Sequence, residues 1–210
     1  MNATERQKLV KAITGADVDQ RGDAAHRLAA SQDRADAEAL LGVLKTGSDR
    51  HVQQVVIEAL VENAPSTLES VLTCLIEDPR SQAGQNCAYI VGEIAFRQGA
   101  QRDPRIVPTL IEAVRAALPG GTWAVSSAVA ALRECARTGP IPEANDVLLQ
   151  VIAAAGHEPE PYVFAVRNAA EILLINNGDA MRHRLRESLE DMSPDNPAAE
   201  VLAQLVADSD

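Results

Sequence analysis

The sequence predicts an all-α protein: a right-handed α-α superhelix of about five helix pairs with a half-pair at each end, in one domain over 1–210. Three observations lead there. Apolar residues make up 46 % of the chain but aromatics only 2 %, so alanine, leucine and valine must fill the core. Alanine has the best helix propensity and lets helices approach closely, whereas β-proteins lean on aromatics and threonine. Apolar residues also recur with a helical period in segment after segment, separated by short breaks rich in Gly, Pro, Asp or Ser. Finally, one small-residue motif returns along the whole chain.

The predicted helices run over 4–14, 20–31, 34–46, 48–63, 66–77, 81–98, 104–118, 122–138, 142–155, 161–177, 179–192 and 196–208. Thr4, Asp33, Ser48, Ser66 and Thr122 stand where a side-chain oxygen can cap the first free N–H groups. Pro104, Pro142 and Pro161 suit first-turn positions, where a missing N–H costs nothing. Gly99, Gly139, Gly156 and Gly178 stand where helices should stop.

Alternate helices share a small-small-x-x-aliphatic motif. It reads 24-AAHRL-28, 55-VVIEA-59, 87-CAYIV-91, 127-SAVAA-131, 169-AAEIL-173 and 198-AAEVL-202. The anchors Ala25, Val56, Ala88, Ala128, Ala170 and Ala199 are separated by 31, 32, 40, 42 and 29 residues. A helix pair returning at this spacing is the mark of an α-solenoid. The longer intervals hold the linkers 97-RQGAQRDP-104, 118-LPGGT-122 and 156-GHEPEP-161, so the extra residues fall in loops. These motifs, with polar helix entries such as Arg21 and Asp23 or Arg167 and Asn168, resemble the HEAT-repeat family, in particular its short bacterial HEAT-like repeats. The resemblance covers the whole chain. It explains 86-NCAYIVGEIAF-96, too apolar for a surface helix and too short to cross a membrane. That segment falls in the first helix of the third pair, covered on several sides. Gly92 is then expected to allow close packing, and Glu93 to lie on a solvent strip or to pair with an arginine such as Arg133.

Charge and motifs narrow the function. The net charge of −11 repels a nucleic-acid backbone and favours a basic protein as partner. No segment resembles a membrane span or a cationic membrane-binding helix, and 1-MNATERQKLVK-11 has no apolar h-region, so a cytoplasmic protein without a signal peptide is expected. Cys74, Cys87 and Cys135 are odd in number, widely spaced and without a CxxC, which reads as buried reduced thiols. His26, His51, His157 and His183 are scattered, and there is no HExxH, phosphate-cradling glycine loop or nucleophile elbow. No cofactor and no metal are expected. Among enzymes that resemble this architecture, deoxyhypusine hydroxylases use repeated His-Glu dipeptides to hold two irons; here there is one, His157-Glu158. DNA glycosylases of this build need a basic, aromatic groove, which this composition does not offer. Phycobilin lyases share the repeat as well.

What remains is a binding surface, and the resemblance implies the concave side, lined by the second helix of each pair. On 66–77 the core stripe is Leu68, Val71, Leu72 and Leu75, so Ser70, Thr73 and Glu77 face away. On 104–118 Val107, Leu110, Ile111, Val114 and Leu118 face the core, leaving Arg105, Thr109 and Glu112. On 142–155 Ala144, Val147, Leu148 and Val151 face the core, leaving Asp146, Leu149 and Gln150, and on 34–46 Glu38 takes the matching place. The expected partner face is therefore mildly acidic and polar, with Leu149 as an apolar anchor. Two basic clusters stand apart. The first is Arg97, Arg102 and Arg105. The second is 182-RHRLR-186, where Arg182, Arg184 and Arg186 lie above a core stripe of Met181, Leu185, Leu189 and Met192, and Arg182 and Arg186 share a face with Glu190. The expected protein is a monomeric, non-enzymatic adaptor or scaffold that binds another protein. The alternatives are an acidic inhibitor or immunity-type protein that neutralises one basic partner, and a lyase-like or cofactor-handling protein. Val201, Leu202 and Leu205 on the last helix are expected to leave apolar surface open to self-association.

Overall fold

The computed structural model describes residues 1–46, 49–120, 123–155 and 159–207. Among them all regular structure is helical, in eleven α-helices and three short 3-10 turns. The helices are α1 (Ala3–Ile13), α2 (Val18–Ala29), α3 (Arg34–Lys45), α4 (Arg50–Glu62), α5 (Ala64–Glu77), α6 (Gln82–Gln98), α7 (Ile106–Ala117), α8 (Trp123–Ala136), α9 (Asn145–Ala155), α10 (Pro159–Glu190) and α11 (Pro197–Ala207). None is long and apolar enough to cross a membrane.

The chain divides into two compact units, Met1–Ile94 and Ala95–Asp210, with α6 running across the boundary. In the first unit α1, α3 and α5 pack side by side, α2 packs along α4, and each helix also packs on the next in sequence from α1 to α5. In the second unit α7 packs along α9 and α8 along α10, while α7 packs on α8, α9 on α10 and α10 on α11. Each unit is thus two layers of alternate helices. The repeat motif is why. All six anchors, Ala25, Val56, Ala88, Ala128, Ala170 and Ala199, are buried, and small side chains there let neighbouring backbones approach while branched residues fill the layers between. Leu28, Leu40, Leu60, Leu75, Ile90, Ile94, Ile106, Leu110 and Leu132 are among the largest fully buried side chains. Each contributes roughly 1.5–3 kcal/mol over its exposed state.

Caps fix the helix starts. Asp33 Oδ1 accepts from the Ala35 N–H at 3.0 Å, as its sequence position predicts. At α1 the cap is Asn2, whose Oδ1 accepts from the Glu5 N–H at 2.9 Å, while Thr4 already lies inside the helix. At α4 Asp49 accepts from His51 and Val52. The expected caps Ser48 and Thr122 lie outside the described residues, as does Gly156. Ser66 is not a cap, because α5 starts earlier, at Asn63-Ala64. Its hydroxyl instead donates to the Ala29 carbonyl at 2.6 Å, tying α5 to the end of α2. Two asparagines do similar work in the second unit. Asn176 accepts from the Ile141 N–H at 2.7 Å and donates to the Ile141 carbonyl at 3.0 Å. Asn196 donates to the Ala155 carbonyl and caps α11 through the Ala198 N–H.

The largest departure from expectation is α10. The segments 161–177 and 179–192 form one continuous helix, Pro159–Glu190, rather than two. Gly178 nevertheless has φ +38, so the stop signal survives as one left-handed residue inside the helical run. Leu202 is also not open: it is buried where α11 packs on α10, leaving Val201 and Leu205 half-buried.

Gly22, inside α2, has open space where a Cβ would stand. Gly22→Ala is expected to stabilise the protein by about 0.5–1 kcal/mol, because alanine loses less backbone freedom on folding. A higher urea midpoint with unchanged helicity checks this, and a lower midpoint counts against it.

Candidate functional site

Three of the nine residues chosen from the sequence meet in one place. α3 and α5 lie side by side, with Leu40, Leu44, Leu68, Val71 and Leu75 buried beneath them. Above this layer runs a groove of about 200 Å³, whose rim includes Glu38, Thr73 and Glu77. Arg34, Leu41, Lys45, Ser70 and Cys74 complete the lining. Glu38 is exposed and accepts from Arg34 Nε at 2.7 Å, one helical turn away. Thr73 is half-buried, with its hydroxyl donating to the Glu69 carbonyl at 2.9 Å, and Glu77 is exposed. Ser70, expected to face away from the core, is buried and forms part of the groove wall. With Arg34 and Lys45 on α3 alongside Glu38, and Glu77 on α5, the lining carries both signs rather than a mildly acidic character.

The other six chosen residues belong to the second unit. Glu112 is exposed and Thr109 half-buried on α7; Asp146 and Gln150 are exposed and Leu149 half-buried on α9, the helix beside it. Arg105 immediately precedes α7 and grips Asp103 with two prongs, Nε to Oδ1 at 3.0 Å and Nη2 to Oδ2 at 2.9 Å. That pair holds the Asp103 carboxyl below the usual carboxylate range.

The arginines of the first basic cluster have separate surroundings. Arg102 is half-buried, its Nη1 donating to the Cys135 carbonyl at 3.2 Å and to Thr138 Oγ1 at 3.0 Å, which closes the end of α8. Arg105 is taken by Asp103, and Arg97 is exposed on α6. In the second cluster Arg182 pairs with Asp179 at 2.7 Å, and His183 lies 3.4 Å from Glu187. Met181, Leu185 and Met192 are buried as the stripe requires, with Leu189 half-buried. Arg133 pairs with Glu171 on α10 and reaches Glu134, because α8 and α10 are neighbours; Glu93 is half-buried on α6.

Sequence reasoning missed two features. Four of the five aromatics, Tyr89, Phe96, Trp123 and Phe164, are exposed, while Tyr162 is buried with its hydroxyl donating to the Leu118 carbonyl. Trp123 and Phe164 stand 6.5 Å apart between ring centroids, and the Arg137 guanidinium sits 4.8 Å over the Phe96 ring. The helical period assigns each ring to a face, and the outward Tyr89 could have been found from the buried Cys87, Ala88, Ile90 and Val91 around it. The second feature is a thiol pair. Cys74, on the groove wall, is hydrogen-bonded to Cys87 of α6. That bond, aided by Lys45, draws the Cys74 thiol down to about 7, against burial and the charges of Glu77 and Asp78. The same bond and burial push Cys87 well above the ordinary thiol value, and burial pushes Cys135 up to about 12.

Among the described residues no group of three or more His, Cys, Asp or Glu side chains is placed to hold a metal ion. His157 and Glu158 lie outside them. No family model matches the chain, and no curated protein matches it. A solved structure, the crystal structure of an engineered protein, is similar over 100 % of this chain and 99 % of that chain, at 20 % identity and a TM-score of 0.49.

Proposed function

We propose that this protein is a non-enzymatic, cytoplasmic adaptor of HEAT-like solenoid build that holds a partner protein along the α3–α5 groove. One observation carries the reading: Glu38, Thr73 and Glu77, chosen from periodicity as partner-facing, line a single groove. The alternating two-layer packing inside each unit supports the solenoid part of it. Charges of both signs in the groove favour a polar partner segment with its own acidic and basic residues, held by matched pairs that set register more than raw affinity. The net charge of −11 adds long-range attraction for a partner that is basic overall.

The test begins with tagged protein in lysate of the source cells, followed by affinity measurement with the purified partner. Glu38→Lys combined with Glu77→Lys is expected to weaken binding by roughly tenfold or more, since truncated or reversed charge pairs at an interface cost 2 kcal/mol or more. Circular dichroism should stay at wild-type helicity, as both side chains are exposed. Wild-type affinity in that variant would move the site elsewhere. The matching pair Glu112→Lys and Asp146→Lys then asks whether α7 and α9 contribute.

A further inference from the structure

We propose that Cys74 and Cys87 form a dithiol oxidation site that reacts with peroxide through the α3–α5 groove and closes as a disulfide. Cysteines in an apolar helical core usually act as small inert hydrophobes. This pair differs in placement. Cys74 sits near the end of α5 and is only 4 % exposed, but it forms part of the groove wall beside Lys45. Cys87 sits on α6, is 0 % exposed, and lies across the tight turn from Cys74, where the first turn of α6 meets the Asp78 and Pro79 backbone at Gly84. One thiol therefore borders the groove, and the second, fully buried, follows on the next helix. Reactive thiols combine partial access with nearby positive charge, and redox-sensing thiols often have a resolving cysteine beside them.

The electrostatics agree with this division of labour. The Cys87 thiol favours the thiolate at Cys74 and Lys45 adds positive charge, opposed by burial and by Glu77 and Asp78. A groove of about 200 Å³ has room for a peroxide, whose size is close to that of a water molecule, with a share of liquid volume near 30 Å³. In the first step the Cys74 thiolate attacks one peroxide oxygen. The O–O bond breaks, a sulfenic acid forms at Cys74, and hydroxide leaves and is protonated to water. In the second step the Cys87 sulfur, losing its proton, attacks the Cys74 sulfur. The S–S bond forms, the S–O bond breaks, and a second water leaves. Two thiols give up two electrons and two protons in all, and one hydrogen peroxide becomes two waters.

Cys135 is the internal control. It belongs to the second unit, is fully buried, and has its thiol pushed up to about 12 by that burial. The site does not depend on the partner-binding reading, since it needs only the two thiols and the oxidant.

The experiment treats the full chain with stoichiometric hydrogen peroxide, quenches, unfolds it in a thiol-alkylating reagent, and maps the peptides by mass spectrometry. The expected result is a loss of two hydrogens in intact mass, a Cys74–Cys87 cross-linked peptide, and alkylated Cys135. Cys74 should be consumed about tenfold faster than Cys135 or more. In Cys87→Ala, dimedone should trap a sulfenic acid at Cys74, and in Cys74→Ala neither product should form. Wild-type mapping decides the matter even where a variant folds poorly. Three alkylated cysteines after treatment, a link to Cys135 or between two chains, or Cys74 oxidised beyond sulfenic acid with Cys87 still free would each overturn the proposal.

Discussion

Asp36→Asn is expected to destabilise the protein by about 2–3 kcal/mol, the scale of a lost hydrogen bond to a charged partner. The melting temperature should fall by about 4–12 °C for a chain of this size. Asp36 is 0 % exposed in the first turn of α3. The Arg6 guanidinium of α1 donates to Asp36 Oδ1 through Nε and to Asp33 Oδ2 through Nη2, and the Met1 α-amino group lies 3.7 Å from Asp36 Oδ2. One arginine therefore ties α1 to the cap and first turn of α3, where helix N–H groups already favour negative charge. Asparagine keeps the shape but removes the charge, leaving Arg6 with Asp33 alone as its counter-ion.

The pH dependence separates charge from packing. Burial, the largest influence, pushes the Asp36 carboxyl up, but hydrogen bonds from Ser31 and Arg6 and the charge of Arg6 hold it below its ordinary value of 3.8. A folded value below the unfolded one means that the unfolded chain binds the proton more readily. The contribution is complete above the ordinary value and is lost as pH falls through the depressed one. Urea unfolding of wild type and Asp36→Asn at pH 7, 4 and 2.5 should therefore show a gap that narrows in acid. Arg6→Ala should also destabilise, by stranding a buried carboxylate, and should raise the pH at which acid unfolding begins. A gap below about 0.5 kcal/mol at pH 7, as for an ordinary surface substitution, would mean that Arg6 merely rests against the helix.

The sequence pattern made the helices legible because their period is strong and their breaks are punctuated by Gly and Pro. It placed the repeat anchors correctly in the core for the same reason: a small residue amid branched ones on an apolar face has nowhere else to go. Starts were less legible. Asn2 and Thr4 both offer a capping oxygen, and only the backbone path decides that Asn2 reaches the Glu5 N–H. The 176-NNG-178 run reads as a terminus, yet a single left-handed glycine is absorbed and the helix resumes. Packing of α8, α9 and α11 against α10 outweighs that local signal.

Partners across helices were out of reach for a different reason. Arg133 finds Glu171, and Cys74 finds Cys87, through packing between helices. A period identifies which face a residue occupies, not which residue stands opposite. The groove residues Glu38, Thr73 and Glu77 could be chosen from faces alone because α3 and α5 present equivalent faces. Arg34 and Lys45, which balance the groove's charge, share the face of Glu38 one turn before and two turns after it, so the same rule reaches them as well.

Gly84→Ala is expected to lose about 1–3 kcal/mol, the cost of forcing an extra methyl into a filled space. The same change at Gly22 should gain stability, so one substitution takes opposite signs on two helices. A Cβ at Gly84 would stand 2.2 Å from the Asp78 carbonyl oxygen and 2.9 Å from Pro79 backbone atoms. Backbone cannot rotate aside as a side-chain end can, so the 78–81 turn or the first turn of α6 must move. That turn is tightly tied. Ser81 donates from its N–H and hydroxyl to the Asp78 carbonyl, and its hydroxyl accepts from the Gly84 N–H at 3.0 Å. Gly92, the glycine expected to allow close packing, is buried on the same helix, and at Gly84 two chain segments meet. Moving α6 relative to α5 would also displace Cys87 from Cys74. Gly84→Ala should therefore lower the urea midpoint and slow peroxide-driven disulfide formation together, with Gly22→Ala raising the midpoint and leaving the thiol chemistry unchanged. A Gly84→Ala protein as stable as wild type would show that the turn yields freely and that the close approach does not hold α5 and α6 in place.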